Sequence, residues 1–351
     1  MKNILIIFGG KSGEHEISVR SAKSIEENID KTKFKTLAMG ITHQGQWHSG
    51  PNIESVTHDG KVSSPKNPSL IPDKQILDAD IIFSILHGPN GEDGTMQGLL
   101  ELLNVAYVGP RVLGSALSMD KVIQKQVCAF YDIPQTKYIS FSSYEWENSS
   151  DLVIQNINQQ LQYPLFIKPA NMGSSVGITK ADSKEELKES IQEALQYDHK
   201  IIVEESIGEM REIEISVLGN NNPKASVCGE IVPNTEFYDY ETKYITDDIK
   251  VAIPADIPQE VADEIRATAV ETFRALDCIG LARVDFFYQP QTGKHFLNEI
   301  NTLPGFTSIS MYPKLWEATD LSYTDLITKL LRLAEEQWQK KQQLSYEYQP
   351  S

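Results

Sequence analysis

Short apolar runs alternate with amphipathic helical patterns over the first third of the chain. Asn3–Phe8 is an apolar run of strand length that ends in Gly9-Gly10, and similar runs cover residues 36–41 and 80–86. Between the first two runs, residues 14–28 carry apolar side chains at helical spacing. This order of elements predicts a βαβ-type domain with a buried parallel sheet, ending near residue 118.

The alternation continues through the middle of the chain. A helical pattern begins at Lys121, and apolar runs at 165–169 and 201–204 flank a second helical pattern over about 187–195. These elements predict a second unit that covers residues 119–208.

The last third begins with two predicted strands, 212–218 and 225–232, around the turn GNNNPK. A core-facing helix over 261–276 leads into a strand hairpin. A helix from about Ser322 closes the chain, and its polar end is expected to fray. The predicted organisation is a mixed α/β (α+β) chain of three domains and a tail, with the boundaries 1–118, 119–208, 209–340 and 341–351.

Two long segments carry neither a helical nor a strand period. His43–Lys74 is rich in Pro, Ser, Asn and Gly and is expected to be mostly loop. Asn234–Asp248 is polar and aromatic, and a loop of this length within a compact domain is usually functional or disordered. Its tyrosines at 238, 240 and 244 favour an ordered lid.

Composition narrows the class of protein. The 351 residues include 32 Lys+Arg against 49 Asp+Glu, and the net charge of −17 argues against nucleic acid or an anionic membrane as a partner. Cys128, Cys228 and Cys278 form no C-x-x-C pair, which indicates a reducing compartment rather than a disulfide framework or a zinc site. No apolar run approaches the ~18 residues of a membrane span, and no signal-peptide pattern is present. A soluble, cytoplasmic protein is expected.

The predicted hairpin, RVDFFY and KHFLNEIN joined by QPQTG, is the strongest candidate site. Alternation places Arg283 and Asp285 on one face of the first strand, and Glu299 and Asn301 on one face of the second. If the register brings these faces together, oxygen ligands suited to Mg²⁺ and phosphate meet beside an arginine. Gly305, in the TLPGF loop that follows, allows backbone to approach a ligand. The alternative is a half-exposed hairpin with a solvated polar face.

Lysines beside flexible loops are candidate phosphate contacts. Lys168 ends a strand shortly before Gly173–Gly177, a loop whose backbone N–H groups could cover phosphates. Lys121 lies at a helix start, where acidic residues are preferred, and this misfit hints at an anionic ligand. An ordinary loop and a solvated lysine are the alternatives. GGKSGE is not a Walker A loop, because Leu5 occupies the position of its first glycine.

Two polar residues at the ends of predicted strands could face a ligand crevice. Glu14 follows the first glycine turn and could grip an ammonium group. His87 ends the strand at 80–86 and precedes PNGEDGT, where open α/β sheets place ligand-contacting loops. A strand-to-helix turn and a structural histidine are the simpler interpretations.

In this order, the motifs resemble the ATP-grasp superfamily and, more narrowly, the D-alanine–D-alanine ligase family. The resemblance covers about 2–333 and rests on GGKSGEHEISV, LHGPNGEDGTMQG, SMDK, FIKPANMGSSVG, REIEISVLG, FYDYETKY, RVDFF and NEINTLPGFT. It implies a three-domain ATP-grasp fold with an N-terminal Rossmann-like domain that binds substrate. Such enzymes use ATP and two Mg²⁺ ions, for which Mn²⁺ can substitute.

The resemblance also implies roles for single residues. The implied Mg²⁺ ligands are Asp285, Glu299 and Asn301. The implied ATP contacts are Lys121, Lys168, Ser174, Ser175, Glu204, Glu205, Ile207, Glu212, Tyr238, Lys243, Asn298 and Glu299. The implied D-alanine contacts are Glu14, His87, Arg283, Gly305, Ser310 and Met311. The implied catalytic group is Glu14, Ser174, Tyr244, Arg283 and Gly305, in which Tyr244 and Ser174 link a lid to Glu14.

The implied reaction joins two D-alanines through a D-alanyl phosphate and supplies a peptidoglycan precursor, and the family suggests a homodimer. A ligase that makes D-alanyl-D-lactate is the nearest alternative, and Tyr244 favours the dipeptide product. Another ATP-grasp carboxylate–amine ligase is disfavoured by Glu14, His87 and Ser310. A nucleotide-binding regulator without catalytic activity is disfavoured because Arg283 and the metal ligands are all present.

Overall fold

The computed structural model describes residues 1–232, 250–345 and 347, and its N-terminal part is a five-stranded sheet. The strands of this part are β1 (Lys2–Gly9), β2 (Phe34–Ile41), β3 (Trp47–Gly50), β4 (Thr57–His58), β5 (Lys61–Val62), β6 (Ile81–Ser84) and β7 (Ala106–Tyr107). The sheet order is β3-β2-β1-β6-β7, and β4 pairs with β5 in a separate hairpin. Helices α1 (His15–Asn28), α2 (Thr95–Leu102) and α3 (Val112–Met119) belong to the same part.

β1 lies at the centre of this sheet and pairs in parallel with β2 and β6. Ile4 and Phe8 face one buried cluster, and Leu5 and Ile7 face another. A strand that is covered on both faces requires a continuous apolar run, which is the pattern of this segment. The prediction of a buried parallel sheet is therefore confirmed, with antiparallel β3 as its edge.

The 43–74 segment is mostly loop, as expected, but it also carries short regular elements. It contains β3, β4, β5 and two short 3₁₀ turns, Glu54–Val56 and Lys74–Ile76. These elements are only two to four residues long, and a period-2 pattern cannot be recognised over so few positions.

The middle part is an antiparallel four-stranded sheet flanked by helices. Its strands are β8 (Tyr138–Ser142), β9 (Leu165–Pro169), β10 (Thr179–Ala181) and β11 (Lys200–Glu205), in the order β10-β9-β11-β8. Its helices are α4 (Lys121–Phe130), α5 (Ser143–Gln160) and α6 (Lys184–Ala194). The sequence analysis did not predict β8, β10 or α5.

The last part is built on a second antiparallel sheet. Its strands are β12 (Arg211–Gly219), β13 (Lys224–Ala225), β14 (Gly229–Val232), β15 (Lys250–Ala252), β16 (Gly280–Gln289) and β17 (Lys294–Asn301). The order is β15-β14-β12-β16-β17, and β13 pairs with β12. The helices are α7 (Gln259–Ala275), α8 (Met311–Glu317) and α9 (Tyr323–Gln342). The strand predicted over 225–232 is thus divided into β13 and β14.

The C-terminal helix α9 packs against the N-terminal sheet. Leu326, Leu330 and Leu331 join the same buried cluster as Ile4 and Phe83. The polar end that was expected to fray, residues 335–351, is helical as far as Gln342. Residues 346 and 348–351 lie outside the described part of the chain. Three contacts hold the end of α9 against the N-terminal part. They are the ion pairs Lys2–Glu335 and Lys341–Glu101 and the hydrogen bond that Trp338 Nε1 donates to the Asn104 carbonyl.

The α/β fold class is confirmed by these sheets and helices. Within the described ranges, every helix is too short or too polar to cross a membrane.

Candidate active site

The β16–β17 hairpin brings four predicted site residues onto one face. Arg283 lies opposite Asn301 and Asp285 opposite Glu299 in the antiparallel register, and a bulge follows between Asp285 and Phe286. Asn301 Nδ2 donates to Asp285 Oδ2 at 2.8 Å. The convergence expected from strand alternation is therefore present in the structure.

Arg283 is held by carboxylates from two strands. Its Nε and Nη2 donate to the two oxygens of Asp285 at 2.8 and 2.7 Å, and its Nε lies 3.0 Å from Glu214 on β12. Burial alone would lower the pKa of Arg283, but the charges of Asp285 and Glu214 outweigh it and raise that pKa well above its ordinary value. The guanidinium is therefore a permanent, fixed positive charge at the mouth of the hairpin.

Lys121 crosses from α4 to the hairpin. Its Nζ lies 3.4 Å from Glu299 and donates to the Met172 carbonyl at 2.8 Å. The unusual position of a lysine at a helix start is explained by Asp120, the N-cap, whose carboxylate accepts from the N–H groups of Val122 and Ile123 at 3.0 and 3.1 Å. The ammonium group is thus free to extend from the helix toward the hairpin.

A buried ionic cluster supports Lys168 from behind. Glu204 on β11 lies 3.3 Å from Lys168 and 3.5 Å from Lys125, and it accepts a hydrogen bond from Thr136 Oγ1 at 2.9 Å. Burial of Glu204 tends to raise its pKa, but the two lysines and Thr136 lower the pKa to about 2. Lys168 also reaches Asn298 Oδ1 at 3.5 Å. The sequence analysis missed Lys125, because a lysine in an amphipathic helix is normally assigned to the solvated face.

The other predicted nucleotide contacts on or next to β11 and β12 do not all point to the same face of their sheet. Glu205 points away from the Glu204 cluster, since its carboxylate accepts from the Gln162 N–H at 2.9 Å. The Ile207 carbonyl accepts from Gln289 Nε2. Glu212 is on the same face of β12 as Glu214, which pairs with Arg283. Glu212 therefore lies on the same side of that sheet as Arg283 and Asp285.

The 173–177 loop reaches over to the N-terminal part. Ser174 Oγ donates to Glu14 Oε1, which joins this loop to the turn after β1. Ser174 and Ser175 have φ angles of +53° and +60°, a left-handed conformation that is uncommon for residues other than glycine. Residues held in this region are often found at ligand-binding sites, where the surrounding structure maintains the strain.

His87 is buried against the loop that follows β17. It is 4% exposed, its Nδ1 bonds the Leu303 carbonyl at 2.8 Å, and its Nε2 is 3.3 Å from Ser21 Oγ. The Phe306 N–H in turn donates to Ser21 Oγ at 3.2 Å. His87 therefore fixes the loop that carries Gly305.

Ser310 and Met311 end the same loop. Ser310 is the N-cap residue of α8, and its Oγ accepts from the Thr307 N–H at 3.0 Å. A Cβ on Gly305 would lie 3.1 Å from Ser310 Oγ, so the glycine allows this close approach. The Met311 side chain packs in a buried cluster with Ile231 and Leu315.

Glu92 is a cleft residue that the sequence analysis missed. Its carboxylate accepts from the N–H groups of Leu303 at 2.9 Å and Gly88 at 3.2 Å. Burial, followed by the charge of Glu14, raises the pKa of Glu92 to about 8. It lines a cleft between all three parts of the chain, together with Ser118, Met119, Lys121, Met172, Gly173, Glu299, Ile300, Asn301 and Thr302. The signal was present in PNGEDGT, at a strand's carboxyl end.

The donor set of the hairpin suits Mg²⁺ that is shared with a phosphate ligand. Asp285, Glu299 and Asn301 supply two carboxylates and one amide. The part of the chain that the structure describes has no group of three or more His, Cys, Asp and Glu side chains arranged to hold a metal alone. Mg²⁺ is commonly bound by one or two carboxylates and completed by substrate phosphates and water, so these residues fit such an ion. Tyr238, Lys243 and Tyr244 lie outside the described residues.

The antiparallel sheets, the cleft lined by Lys121 and the acidic hairpin together are the features of an ATP-grasp carboxylate–amine ligase. Two family models match the chain, "D-ala D-ala ligase N-terminus" over residues 3–110 and "D-ala D-ala ligase C-terminus" over residues 127–332. The chain belongs to the D-alanine–D-alanine ligase family, whose members use ATP and D-alanine. The resemblance seen in the sequence is confirmed.

Individual relatives match over nearly their whole length. The D-alanine–D-alanine ligase of Acetivibrio thermocellus is 46% identical over 360 residues, which cover 95% of this chain and 96% of the relative. The corresponding ligase of Bacillus cytotoxicus is 46% identical over 355 residues, with 97% and 98% covered.

Solved structures agree with these sequence matches. The D-alanine–D-alanine ligase from Coxiella burnetii superposes with a TM-score of 0.83 at 34% identity and covers 97% of this chain and 96% of its own. A D-Ala:D-Ser ligase from Enterococcus faecalis gives a TM-score of 0.83 at 36% identity, with 95% and 99% covered.

Proposed function

We propose that this protein ligates two D-alanines to D-alanyl-D-alanine through a D-alanyl phosphate, with release of ADP and phosphate. The observation that carries the proposal is the position of the Arg283–Asp285–Glu299–Asn301 face next to Lys121 and below the 173–177 loop. A fixed cation, a set of metal ligands and a phosphate-covering loop are the parts that an ATP-dependent ligation needs.

The nucleotide lies between the middle and last parts in this proposal. Lys121 and Lys168 bind the phosphates, and Ser174 and Ser175 cover them from the loop. The end of β11 binds the adenine, and Glu205 and Ile207 lie at the edge of the adenine site. Glu204 orients Lys168. The remaining proposed ATP contacts are Glu212 at the ribose, Asn298 beside Lys168, and Tyr238 and Lys243.

Asp285, Glu299 and Asn301 would hold Mg²⁺, two ions when both sites are filled, with Mn²⁺ as a substitute. The metal would neutralise the negative charge that develops on the phosphates. Lys121, 3.4 Å from Glu299, adds a further positive charge at the same place.

In this proposal the two amino acids lie over the same face of the hairpin as the nucleotide, but toward the N-terminal part. Glu14 binds the ammonium of the first D-alanine, and Ser310 binds the carboxylate of the second. His87 acts through its bond to the Leu303 carbonyl, which holds the Gly305 loop in place. Met311, which packs in the core beneath α8, supports the position of Ser310.

The residues act at two chemical steps. In the first, the carboxylate of the bound D-alanine attacks the γ-phosphorus, a step that depends on positioning and charge neutralisation. In the second, the amine of the other D-alanine attacks the acyl phosphate, and Arg283 with the Gly305 N–H stabilises the tetrahedral oxyanion. Water would hydrolyse the acyl phosphate, so the 173–177 loop and a lid with Tyr244 close over the site in this proposal. Tyr244 and Ser174 link the lid to Glu14.

A second product deserves a direct test, because one relative is named a D-Ala:D-Ser ligase. The measurement is phosphate release from Mg·ATP with D-alanine alone, with L-alanine, and with D-alanine plus D-serine or D-lactate, and mass spectrometry identifies the products. D-Alanyl-D-alanine as the main product at neutral pH supports the proposal. If the main product is a depsipeptide or contains D-serine, the second substrate is D-lactate or D-serine and not D-alanine. No D-alanine-dependent turnover would overturn the ligase assignment.

The proposed organisation keeps three domains, 1–118, 119–208 and 209–340, and a tail, 341–351. A homodimer through the first domain agrees with the exposed leucines on α2 and α3, Leu102 at 87% and Leu113 at 56% exposure. Light scattering on wild type and Leu102→Glu tests this, since a dimer at this face would dissociate in the variant.

A cytoplasmic location agrees with ATP use and with the free, buried cysteines. Burial raises the pKa of their thiols to about 12.

A further inference from the structure

The hairpin formed by β4 and β5 covers the glycine turn after β1. Val62 on β5 packs against two glycines at the ends of β1 and β2. A Cβ on Gly40 would lie 2.7 Å from Val62 Cγ1, and a Cβ on Gly9 would lie 2.8 Å from Val62 Cγ2. Gly9 also has a φ angle of +88°, which other residues rarely adopt. The 43–74 segment thus rests directly on the turn that leads to Glu14.

His15 connects this hairpin to the turn. It is 0% exposed, its Nδ1 is 2.8 Å from the Gly10 carbonyl, and the Val62 N–H donates to its Nε2 at 3.0 Å. A backbone N–H can only donate, so Nε2 carries no proton and Nδ1 must be the donor to Gly10. Both ring nitrogens are therefore used, and the tautomer is fixed by geometry.

The groups around His15 keep the imidazole neutral. His43 stacks on it with ring centroids 3.9 Å apart, and Glu16 lies 3.4 Å from Lys61 and 3.5 Å from His43. Burial lowers the pKa of His15, the Gly10 bond and Glu16 oppose that change, and His43 and Lys61 reinforce it. The neutral form is the one that the two hydrogen bonds require.

Glu14 is the residue immediately before His15 and the N-cap residue of α1. The turn that carries it is fixed on one side by the Ser174 contact and on the other by the close approach of Gly88, whose added Cβ would lie 2.7 Å from Glu14 Oε2. Because Glu14 and His15 share a rigid peptide unit, a backbone shift at His15 is passed on to Glu14.

We propose that His15 is a positioning residue for Glu14, and that the β4–β5 hairpin is the brace that holds it, through the Val62 N–H. The inference rests on the proposed role of Glu14 in binding the ammonium group of the first D-alanine. It gives the long polar 43–74 segment a function in substrate binding, although its residues lie away from the reacting groups.

Three substitutions at His15 separate the two hydrogen bonds. In His15→Gln the side-chain oxygen can take the place of Nε2 and accept from Val62, whereas in His15→Asn the amide can keep only the Gly10 bond. His15→Ala removes both. The velocity as a function of D-alanine concentration, fitted to two sites, gives a Michaelis constant for each D-alanine, and the Michaelis constant for ATP is measured in parallel.

The expected result for His15→Asn is a rise of about five- to tenfold in the Michaelis constant of the first D-alanine, the effect of losing the Val62 hydrogen bond. His15→Ala, which loses both hydrogen bonds, should raise this constant by at least as much. The constants for ATP and the second D-alanine, and kcat, stay within about twofold, and His15→Gln lies close to wild type. His58→Ala is the matched control, because its side chain is in the same hairpin but 79% exposed.

Equal effects of Gln and Asn at position 15, or equal changes in all the constants, would overturn the inference and leave His15 a structural residue only. If His15→Ala does not fold, the comparison of His15→Gln with His15→Asn still tests whether the Val62 hydrogen bond positions Glu14. Glu14→Gln in the same assay distinguishes a failure of the proposed role of Glu14 from a failure of the inference about His15. An unchanged first Michaelis constant in Glu14→Gln contradicts the proposed role of Glu14, while a large rise there with no effect at His15 contradicts only the inference about His15.

Discussion

Asp285 accepts both hydrogen bonds of the Arg283 guanidinium fork, at 2.8 and 2.7 Å, although the two residues are only two positions apart on one strand. The same carboxylate accepts from Asn301 across the hairpin. One residue therefore orients the proposed oxyanion-binding cation and belongs to the proposed metal site. In the proposed reaction, this side chain would therefore contribute to both steps.

Arg283→Lys is expected to lower kcat by about 10²- to 10³-fold, with a smaller effect on ATP binding. Lysine keeps the charge but cannot form the fork, so the cation is no longer held where the oxyanion develops. Arg211→Lys is the matched control, because Arg211 forms a fork of the same kind with Glu230 on the same sheet. A loss of kcat in Arg211→Lys as large as in Arg283→Lys would show that the effect is structural.

Lys125→Met is expected to destabilise the fold by about 3–5 kcal/mol, because it removes one of the two lysines that neutralise buried Glu204. Urea unfolding at pH 7 measures the loss. Lys180→Met, which breaks the exposed pair with Asp182, should change stability by less than about 1 kcal/mol. A similar small change in both variants would contradict the proposed importance of the cluster.

The same cluster predicts a pH dependence. The pKa of Glu204 is about 2 in the folded state against 4.5 in the reference state, so its pairs stabilise the protein above about pH 4.5. That stability, about 3 kcal/mol at 1.36 kcal/mol per pKa unit, is lost as the pH falls from 4.5 toward 2. Glu204→Gln should show a shallower loss of stability over this range than wild type.

The site face of the hairpin could be predicted because strand alternation depends only on local sequence. Arg283, Asp285, Glu299 and Asn301 are separated by two positions within each strand, and the short QPQTG connection leaves few registers. The buried parallel strand β1 was predictable for the same reason, since its apolar run is continuous.

Other features depend on contacts between distant parts of the chain. Lys125 is buried only because Glu204, 79 positions later, lies beside it, and the end of α9 is ordered by contacts with the N-terminal part. Helix α5 had a local signal: Ser142 and Glu145 form a capping box, the S-x-x-E pattern, which the sequence analysis overlooked.

Gly88→Ala is expected to raise the Michaelis constant of the first D-alanine by about tenfold or more. Gly88 has a φ angle of +72°, and its added Cβ would lie 2.7 Å from Glu14 Oε2. Gly98→Ala is the control, because a Cβ there meets nothing within 4 Å in helix α2, and it should stabilise the fold by about 0.5–1 kcal/mol. An unchanged Michaelis constant in Gly88→Ala would contradict the placement of Glu14.

His87 predicts a loss of stability on the acid side of neutrality. Burial lowers its pKa, an effect that Glu14 and the Leu303 bond oppose and Arg283 reinforces, so the folded protein takes up a proton at lower pH than the unfolded chain. The free energy of unfolding must then fall as the pH drops below about 6.5, the ordinary value for histidine. His87→Gln removes this titration, so the variant, though less stable at pH 7.5, should lose less stability than wild type between pH 7.5 and 5.5. His58→Gln, at an exposed position, should follow wild type. Parallel curves for wild type and His87→Gln, measured by urea unfolding, would mean that His87 is protonated as easily in the folded protein as in the unfolded chain. In that case the neutral form of His87 would not be the one that holds the Gly305 loop in place.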